Sequence, residues 1–159
     1  MNKNLLVKKI VSQLRGELDL YFKAAKDAHA EATHEQSKAE NKYDTRGLEA
    51  SYLARGQSIQ ARETELAIAA FDALHPKDFL PDDRIDICAY VEIEGKKERN
   101  SYFLGPRAGG TEVTHDKKEV LVITPQSPLG RELMGKKMGD KVKLEIGGAK
   151  SEYKIVTVT

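Results

Sequence analysis

The first 75 residues contain a long tract without proline, and this tract limits what the chain can fold into. Residues 3–75 hold three glycines, and their apolar residues recur at alternating spacings of four and three. This spacing keeps apolar side chains on one face of an α-helix and is typical of a coiled-coil seam. In the first part of the tract the seam positions are Val7, Val11, Leu14, Leu18, Tyr21, Ala25, Ala28 and Ala32. The tract therefore predicts a long helix that packs along one face.

A second, weaker seam predicts a second helix that returns along the first. Its positions are Leu48, Tyr52, Ile59, Leu66, Ala70 and Leu74. Pro76 disfavours an α conformation at the residue before it, so this helix is expected to end there. Two helices of similar length can pack antiparallel, and the midpoint of the two seams falls at residues 40–41. Residues 1–76 are thus predicted to form a coiled-coil hairpin with its tip at residues 39–47.

Residues 77–159 have the pattern of a small β domain. The run RIDICAYVEIEG, residues 84–95, alternates apolar and polar positions and predicts a half-buried strand. Cys88 would share one strand face with Tyr90 as a packed thiol. Further strands are expected at residues 100–104, 119–123, 141–146 and 151–158, with Gly147-Gly148 as a hairpin turn. The predicted fold class is α+β: an antiparallel helical coiled-coil hairpin followed by a small antiparallel β domain with a short helix.

The short helix is expected within SPLGRELMGKKMGD, residues 127–140. Ser127 is a good N-cap, and Pro128 suits the first helical position. The helix would end at Gly135, and Met138-Gly139-Asp140 would turn the chain into the next strand. Local structural chemistry therefore explains much of this run without any function.

Composition excludes several classes of protein. The chain carries 26 Lys or Arg against 25 Asp or Glu, and residues 1–76 hold 11 of each. A protein that coats nucleic acid would show an excess of basic residues, so these nearly equal counts argue against that class. The single Cys88 cannot form an internal disulfide, which favours a reducing compartment. Because the N-terminal run MNKNLLVKKIVSQL is too charged for a signal peptide, the chain is predicted to be cytoplasmic.

Acidic residues gather near the predicted tip of the hairpin. Glu40 and Asp44 are four residues apart, so they would share a face if the helix continued through them. Two carboxylates of this kind could hold part of a Mg²⁺ shell that phosphates complete. A solvated turn is the alternative interpretation. Elsewhere, the four histidines lack metal-ligand spacing, and the run GPRAGG, residues 105–110, lacks the setting of a phosphate loop.

The run VLVITPQSPLGRELMGKKMGDKVKLEIGGAKSEYKIVTV, residues 120–158, resembles the C-terminal domain of the Gre transcript-cleavage factors of bacterial RNA polymerase. The family's pattern is Ser-Pro-Leu or Met, a short helix, a Lys turn, Gly-Asp, an alternating strand, a glycine hairpin and a final Tyr-x-Ile strand. The matching residues are Ser127, Pro128, Leu129, Arg131, Leu133, Lys136, Gly139, Asp140, Val142, Gly148, Tyr153 and Ile155.

This resemblance implies a partner and a mode of action. The β domain would be FKBP-like and would dock on RNA polymerase at the rim of its secondary channel, and the hairpin would enter the channel. Acidic residues at the tip would support a Mg²⁺ ion while the polymerase hydrolyses its own backtracked RNA. The chain would then be an accessory factor and no enzyme, a monomer without a cofactor of its own. The residues implied in docking are Gln126, Ser127, Pro128, Leu129 and Gly130, and those at the tip are Asn41 and Tyr43.

The tip departs from the family's Asp-x-x-Glu-Asn cleavage motif. Glu40 and Asn41 match it, but Ser37 stands at the position of the first Asp. A neutral hydroxyl is a poorer Mg²⁺ ligand than a carboxylate, so the sequence favours a factor that cleaves weakly or not at all. Two alternatives remain at this point: a prolyl isomerase, suggested by the FKBP-like fold, and a coiled-coil dimerisation protein.

Overall fold

The computed structural model describes residues 1–35, 38–40 and 45–159. Its contacts divide the chain into two units, residues 14–68 and residues 1–13 with 69–159. The sequence predicted a different boundary, between residues 76 and 77, where the helical pattern gives way to the strand pattern. That boundary stays a prediction. In the described residues the helices are α1 (Lys3–Thr33), α2 (Arg46–Asp72) and α3 (Pro128–Leu133). The strands are β1 (Tyr90–Glu94), β2 (Arg99–Leu104), β3 (Glu112–His115), β4 (Lys118–Ile123), β5 (Lys141–Ile146) and β6 (Ala149–Val158).

The predicted seam of α1 is confirmed. All eight of its positions are buried or half-buried, whereas Lys8, Lys9 and Lys26 on the other faces are exposed. At the far end of the helix, Glu31 Oε1 lies 2.5 Å from Arg46 Nη2 at the start of α2. The end of one helix therefore meets the beginning of the next, which is the arrangement of an antiparallel hairpin. Within the described residues, no helix has a stretch apolar enough to cross a membrane.

The predicted seam of α2 is wrong in its first half, whereas its later positions Leu66, Ala70 and Leu74 are half-buried. Leu48, Tyr52 and Ile59 are exposed, and a different row of residues faces inward. That inward row keeps the alternating spacing of three and four, but most of its members are small. The buried face of α2 is therefore not the face that carries most of its large apolar residues. The row consists of Gly47, Ala50, Ala54, Gln57, Ala61, Thr64, Ile68 and Phe71.

The β domain is one six-stranded sheet with the order β3-β4-β2-β1-β6-β5. Strands β2 and β4 are parallel, and the other neighbours are antiparallel. In the β1–β2 register Tyr90 faces Phe103 and Glu92 faces Ser101, so these side chains share one face of the sheet. The ring of Phe71, near the end of α2, lies 6.4 Å from that of Phe103. The last turn of α2 therefore covers this face.

The first strand differs from its prediction. It begins at Tyr90 instead of residue 84, and Tyr90 to Ile93 are all buried, so both of its faces are covered. Cys88 lies before the strand with a φ of +74° and is not one of the strand's residues, so its predicted place in the strand is wrong. Cys88 is nevertheless buried, as a packed thiol should be, and burial raises its pKa. Because both faces of β1 are covered, the polar positions in the alternating pattern do not mark a face that is exposed to solvent.

The remaining elements follow the sequence closely, with three differences. The four later predicted strands and the short helix are confirmed, and Gly147 and Gly148 take φ values of +61° and +81° in the hairpin turn. One strand, β3, has no counterpart among the predicted strands, and its four residues follow closely on Gly109-Gly110. Helix α2 ends at Asp72, four residues before Pro76. Finally, the sheet contains one parallel pair, which a prediction of a purely antiparallel domain missed.

Candidate functional site

The Ser-Pro-Leu-Gly run forms a rigid start to α3. Ser127 is extended, with φ −66° and ψ 152°, and its Oγ accepts a hydrogen bond of 3.0 Å from the backbone N–H of Gly130. The same hydroxyl donates to the carbonyl oxygen of Thr124 at 2.7 Å. Pro128 occupies the first helical turn, where its missing N–H costs nothing. The hydroxyl of Ser127 therefore ties the helix to the chain that leaves β4.

Gly130 is required because the backbone passes directly over it. A Cβ atom placed on Gly130 would lie 1.8 Å from the carbonyl oxygen of Thr124, well inside any allowed contact. Gly130 is buried, and Pro128 and Gln126 beside it are exposed. Of the five residues predicted to dock a partner, Gly130 thus has a packing role, and the others lie at or near the surface.

An open cleft lies beside α3. Its volume is about 1240 Å³, and Leu121, Leu129 and Leu144 contribute apolar surface to it. Its lining includes three of the predicted docking residues, namely Ser127, Pro128 and Leu129. Charged side chains also line it, and sequence reasoning missed them because α3, β5 and β6, which carry them, come together only in the folded domain. These are Arg131, Glu132, Lys143, Glu145, Lys150 and Glu152.

The cleft does not have the chemistry of a prolyl isomerase pocket. Among the described residues that line it, none is aromatic. The aromatic residues that could have supplied such a pocket are buried: Phe79, Tyr90, Tyr102, Phe103 and Tyr153. Because these rings serve the core, the isomerase alternative has no support from the site. An apolar surface with a charged margin is instead typical of a protein-docking face.

A buried ionic cluster lies on the sheet face that carries Tyr90 and Phe103. Glu92 is 2% exposed, and it contacts Lys118, Arg99 and the hydroxyl of Tyr90, the last at 2.5 Å. Burial raises the pKa of Glu92, but the contacts with Lys118, Tyr90 and Arg99 outweigh it and hold this pKa below its usual value. Burial and the bond to Glu92 raise the pKa of Tyr90 to about 12. The cluster joins β1, β2 and β4.

The structure describes one part of the predicted metal site. Glu40 is exposed, and Glu35 forms an ion pair of 3.6 Å with Lys38. Ser37, Asn41, Tyr43 and Asp44 lie outside the described residues. Within the part of the chain that is described, no group of three or more His, Cys, Asp or Glu side chains could hold a metal ion. The predicted Mg²⁺ site at Glu40 and Asp44 therefore stays a prediction.

We predict that Ser127→Ala lowers the free energy of unfolding by about 1 kcal/mol, since it removes the N-cap hydrogen bond of α3. Ser127→Thr keeps a hydroxyl at the same position and should lose less. Urea denaturation of the three proteins measures the difference. Equal stability of the alanine and threonine variants would show that the cap contributes nothing.

We compared the chain with models of known protein families, and one family model matches it. The family model for the transcription elongation factor GreA/GreB C-terminal domain matches residues 80–159, half of the chain. No curated protein sequence matches the chain.

Solved structures similar to this chain include the following three. GreA factor homolog 1 (Gfh1) of Thermus thermophilus has 22% identity and a TM-score of 0.40 over 94% of each chain. Gfh1 of Thermus aquaticus has 23% identity and a TM-score of 0.40 over 95% of this chain and 92% of its own. The factor GreA/GreB from Nitrosomonas europaea has 20% identity and a TM-score of 0.38, covering 60% of this chain and 78% of its own.

The family assignment rests on residues 80–159, which contain the capped helix α3, the cleft beside it and the Ser127–Asp140 run that the sequence singled out. The predicted membership of the Gre family is thereby confirmed: the chain belongs to the GreA/GreB family of transcription elongation factors.

Proposed function

We propose that this chain binds bacterial RNA polymerase, docks through the cleft beside α3, and inserts its helical hairpin into the secondary channel to modulate elongation. The observation that carries this proposal is the cleft itself. Leu121, Leu129 and Leu144 contribute apolar surface to it, and the capped Ser-Pro-Leu run lies along it. A rigid, preorganised face of this kind loses little conformational entropy on binding.

The factor acts as an accessory of the polymerase and carries out no chemistry itself. It works as a monomer in the cytoplasm and contacts nucleic acid only through the elongation complex. A Mg²⁺ ion shared with the polymerase at Glu40 and Asp44 stays a prediction. Because Ser37 replaces a carboxylate, we propose that the chain occupies the channel and assists cleavage weakly or not at all.

Binding to core polymerase at low salt tests the docking half of the proposal. Wild type should bind, and Leu129→Ser should weaken binding at least about tenfold, as loss of an anchor in a docking site does. Leu80→Ser is the matched control, because Leu80 is 67% exposed and does not line the cleft. Failure of the wild type to bind, or equal loss in the control, would contradict the proposal.

Cleavage of the RNA 3′ end in a stalled, backtracked elongation complex tests the second half. We expect binding with little cleavage by wild type, and faster cleavage by Ser37→Asp, which restores the family's carboxylate. Glu40→Ala in the Ser37→Asp background should abolish the gain. Strong cleavage by wild type that is lost in Glu40→Ala and Asp44→Ala would make the chain a working cleavage factor instead.

A further inference from the structure

The outward face of α2 carries a row of large residues, of which all but the half-buried Leu66 are exposed. We call this row the outer stripe. Its first, second and fourth members, Leu48, Tyr52 and Ile59, are 56%, 65% and 53% exposed. Single exposed apolar residues are ordinary on protein surfaces, but a row of them at coiled-coil spacing is not. The outer stripe consists of Leu48, Tyr52, Arg55, Ile59, Arg62 and Leu66.

The spacing of the outer stripe fits a helical partner. Its members follow one another at four, three, four, three and four residues, which is the repeat of a coiled-coil seam. The inward row of α2, from Gly47 to Phe71, already supplies the buried face of the helix. The outer stripe is therefore a second seam on the same helix, and amphipathic helices are bound through rows of this kind.

The charges on the outer stripe narrow the choice of partner. Its charged members, Arg55 and Arg62, lie one heptad apart and are both exposed. Arg62 also pairs with Glu65 at 3.6 Å, but such an exposed pair is weak. A second copy of this chain would bring four arginines together without a carboxylate on either stripe. Nucleic acid fits poorly as well, since residues 14–68 carry eight Lys or Arg against ten Asp or Glu.

We propose that the outer stripe docks an amphipathic α-helix of a protein partner, whose apolar row carries two carboxylates one heptad apart. The aliphatic side chains of that helix pack on Leu48, Tyr52 and Ile59, and its carboxylates pair with Arg55 and Arg62. Tyrosine and arginine are the residue types that most often dominate such interfaces. The proposal concerns residues 48–66 alone, so it does not depend on docking through the cleft beside α3.

A designed peptide helix of about three heptads provides the probe. One version carries Leu along its apolar row with two Glu seven residues apart, and a matched version carries Lys in place of both Glu. The full chain should bind the Glu peptide and not the Lys peptide. Arg55→Glu should weaken binding of the Glu peptide at least about tenfold, as loss of a hot-spot charge does, and should improve binding of the Lys peptide.

Lys23→Glu makes the same charge reversal on α1, where Lys23 is exposed, and should leave both affinities unchanged. Circular dichroism of each variant checks that helicity is retained. Absence of binding to the Glu peptide, or an unchanged affinity in Arg55→Glu, would overturn the proposal. So would light scattering that shows a wild-type dimer dissociated by Tyr52→Ser, because a second copy would then occupy the stripe.

Discussion

Gly130→Ala is expected to lower the free energy of unfolding by about 3 kcal/mol or more, the upper range for overpacking a buried site. The added Cβ would stand 1.8 Å from the carbonyl oxygen of Thr124, and a backbone atom cannot move aside as a flexible side chain can. Ser127 bonds both to Thr124 and to Gly130, so the strain should also break the cap of α3.

Gly16→Ala is the matched control for this substitution. Gly16 lies within α1, and a Cβ there would meet nothing within 4 Å. Alanine is favoured over glycine inside a helix, so this variant should gain about 0.5–1 kcal/mol. Urea denaturation of both variants and wild type decides the matter. Similar effects of the two changes would show that the contact over Gly130 is unimportant.

The second large effect is expected from the ionic cluster around Glu92. The double variant Arg99→Met, Lys118→Met removes both of its cationic partners. It should lower the free energy of unfolding by about 3–5 kcal/mol at neutral pH, because a buried carboxylate is left without a counter-charge. Glu92→Gln should cost less. In that variant Lys118 and Arg99, whose side chains are 49% and 50% exposed, can return to water.

The cost of the double substitution should depend on pH. In wild type the pKa of Glu92 is lowered, so its contribution is present above the unfolded pKa and is lost as pH falls through the folded value. Without the two cations, only the hydrogen bond from Tyr90 still opposes burial, which is the largest influence on this carboxyl. We therefore expect its pKa to rise, and the charged form then destabilises the fold above that pKa. The difference between variant and wild type should therefore shrink as pH falls from 7 to about 4, near the usual glutamate pKa.

Urea denaturation of wild type, the double variant and Glu92→Gln at these two pH values measures the effect. A cost that does not change with pH would show that the charge of Glu92 is not what the cations stabilise. If Glu92→Gln lost more unfolding free energy than the double variant, the buried Glu92 would not be the group that depends on its charged partners.

Local chemistry determined much of this protein from the sequence alone. The seam of α1 was predictable because large apolar residues recur at helical spacing and one face of the helix is buried. The start of α3 was predictable as well, since Ser127 bonds to residues three positions away and the ring of Pro128 fixes its own φ at a helical value. The Ser127–Asp140 run was specific enough to indicate the family, which residues 80–159 confirm.

Only the tertiary structure decided which faces are buried and which distant residues meet. Helix α2 turns a row of mostly small residues inward and exposes Leu48, Tyr52 and Ile59, so the hydrophobicity of single positions did not identify its buried face. Glu92 is buried because both faces of β1 are covered, and its cations come from β2 and β4. The cleft exists because α3, β4, β5 and β6 converge. Each of these features depends on contacts between segments far apart in the chain, and spacing along the sequence carries no record of them.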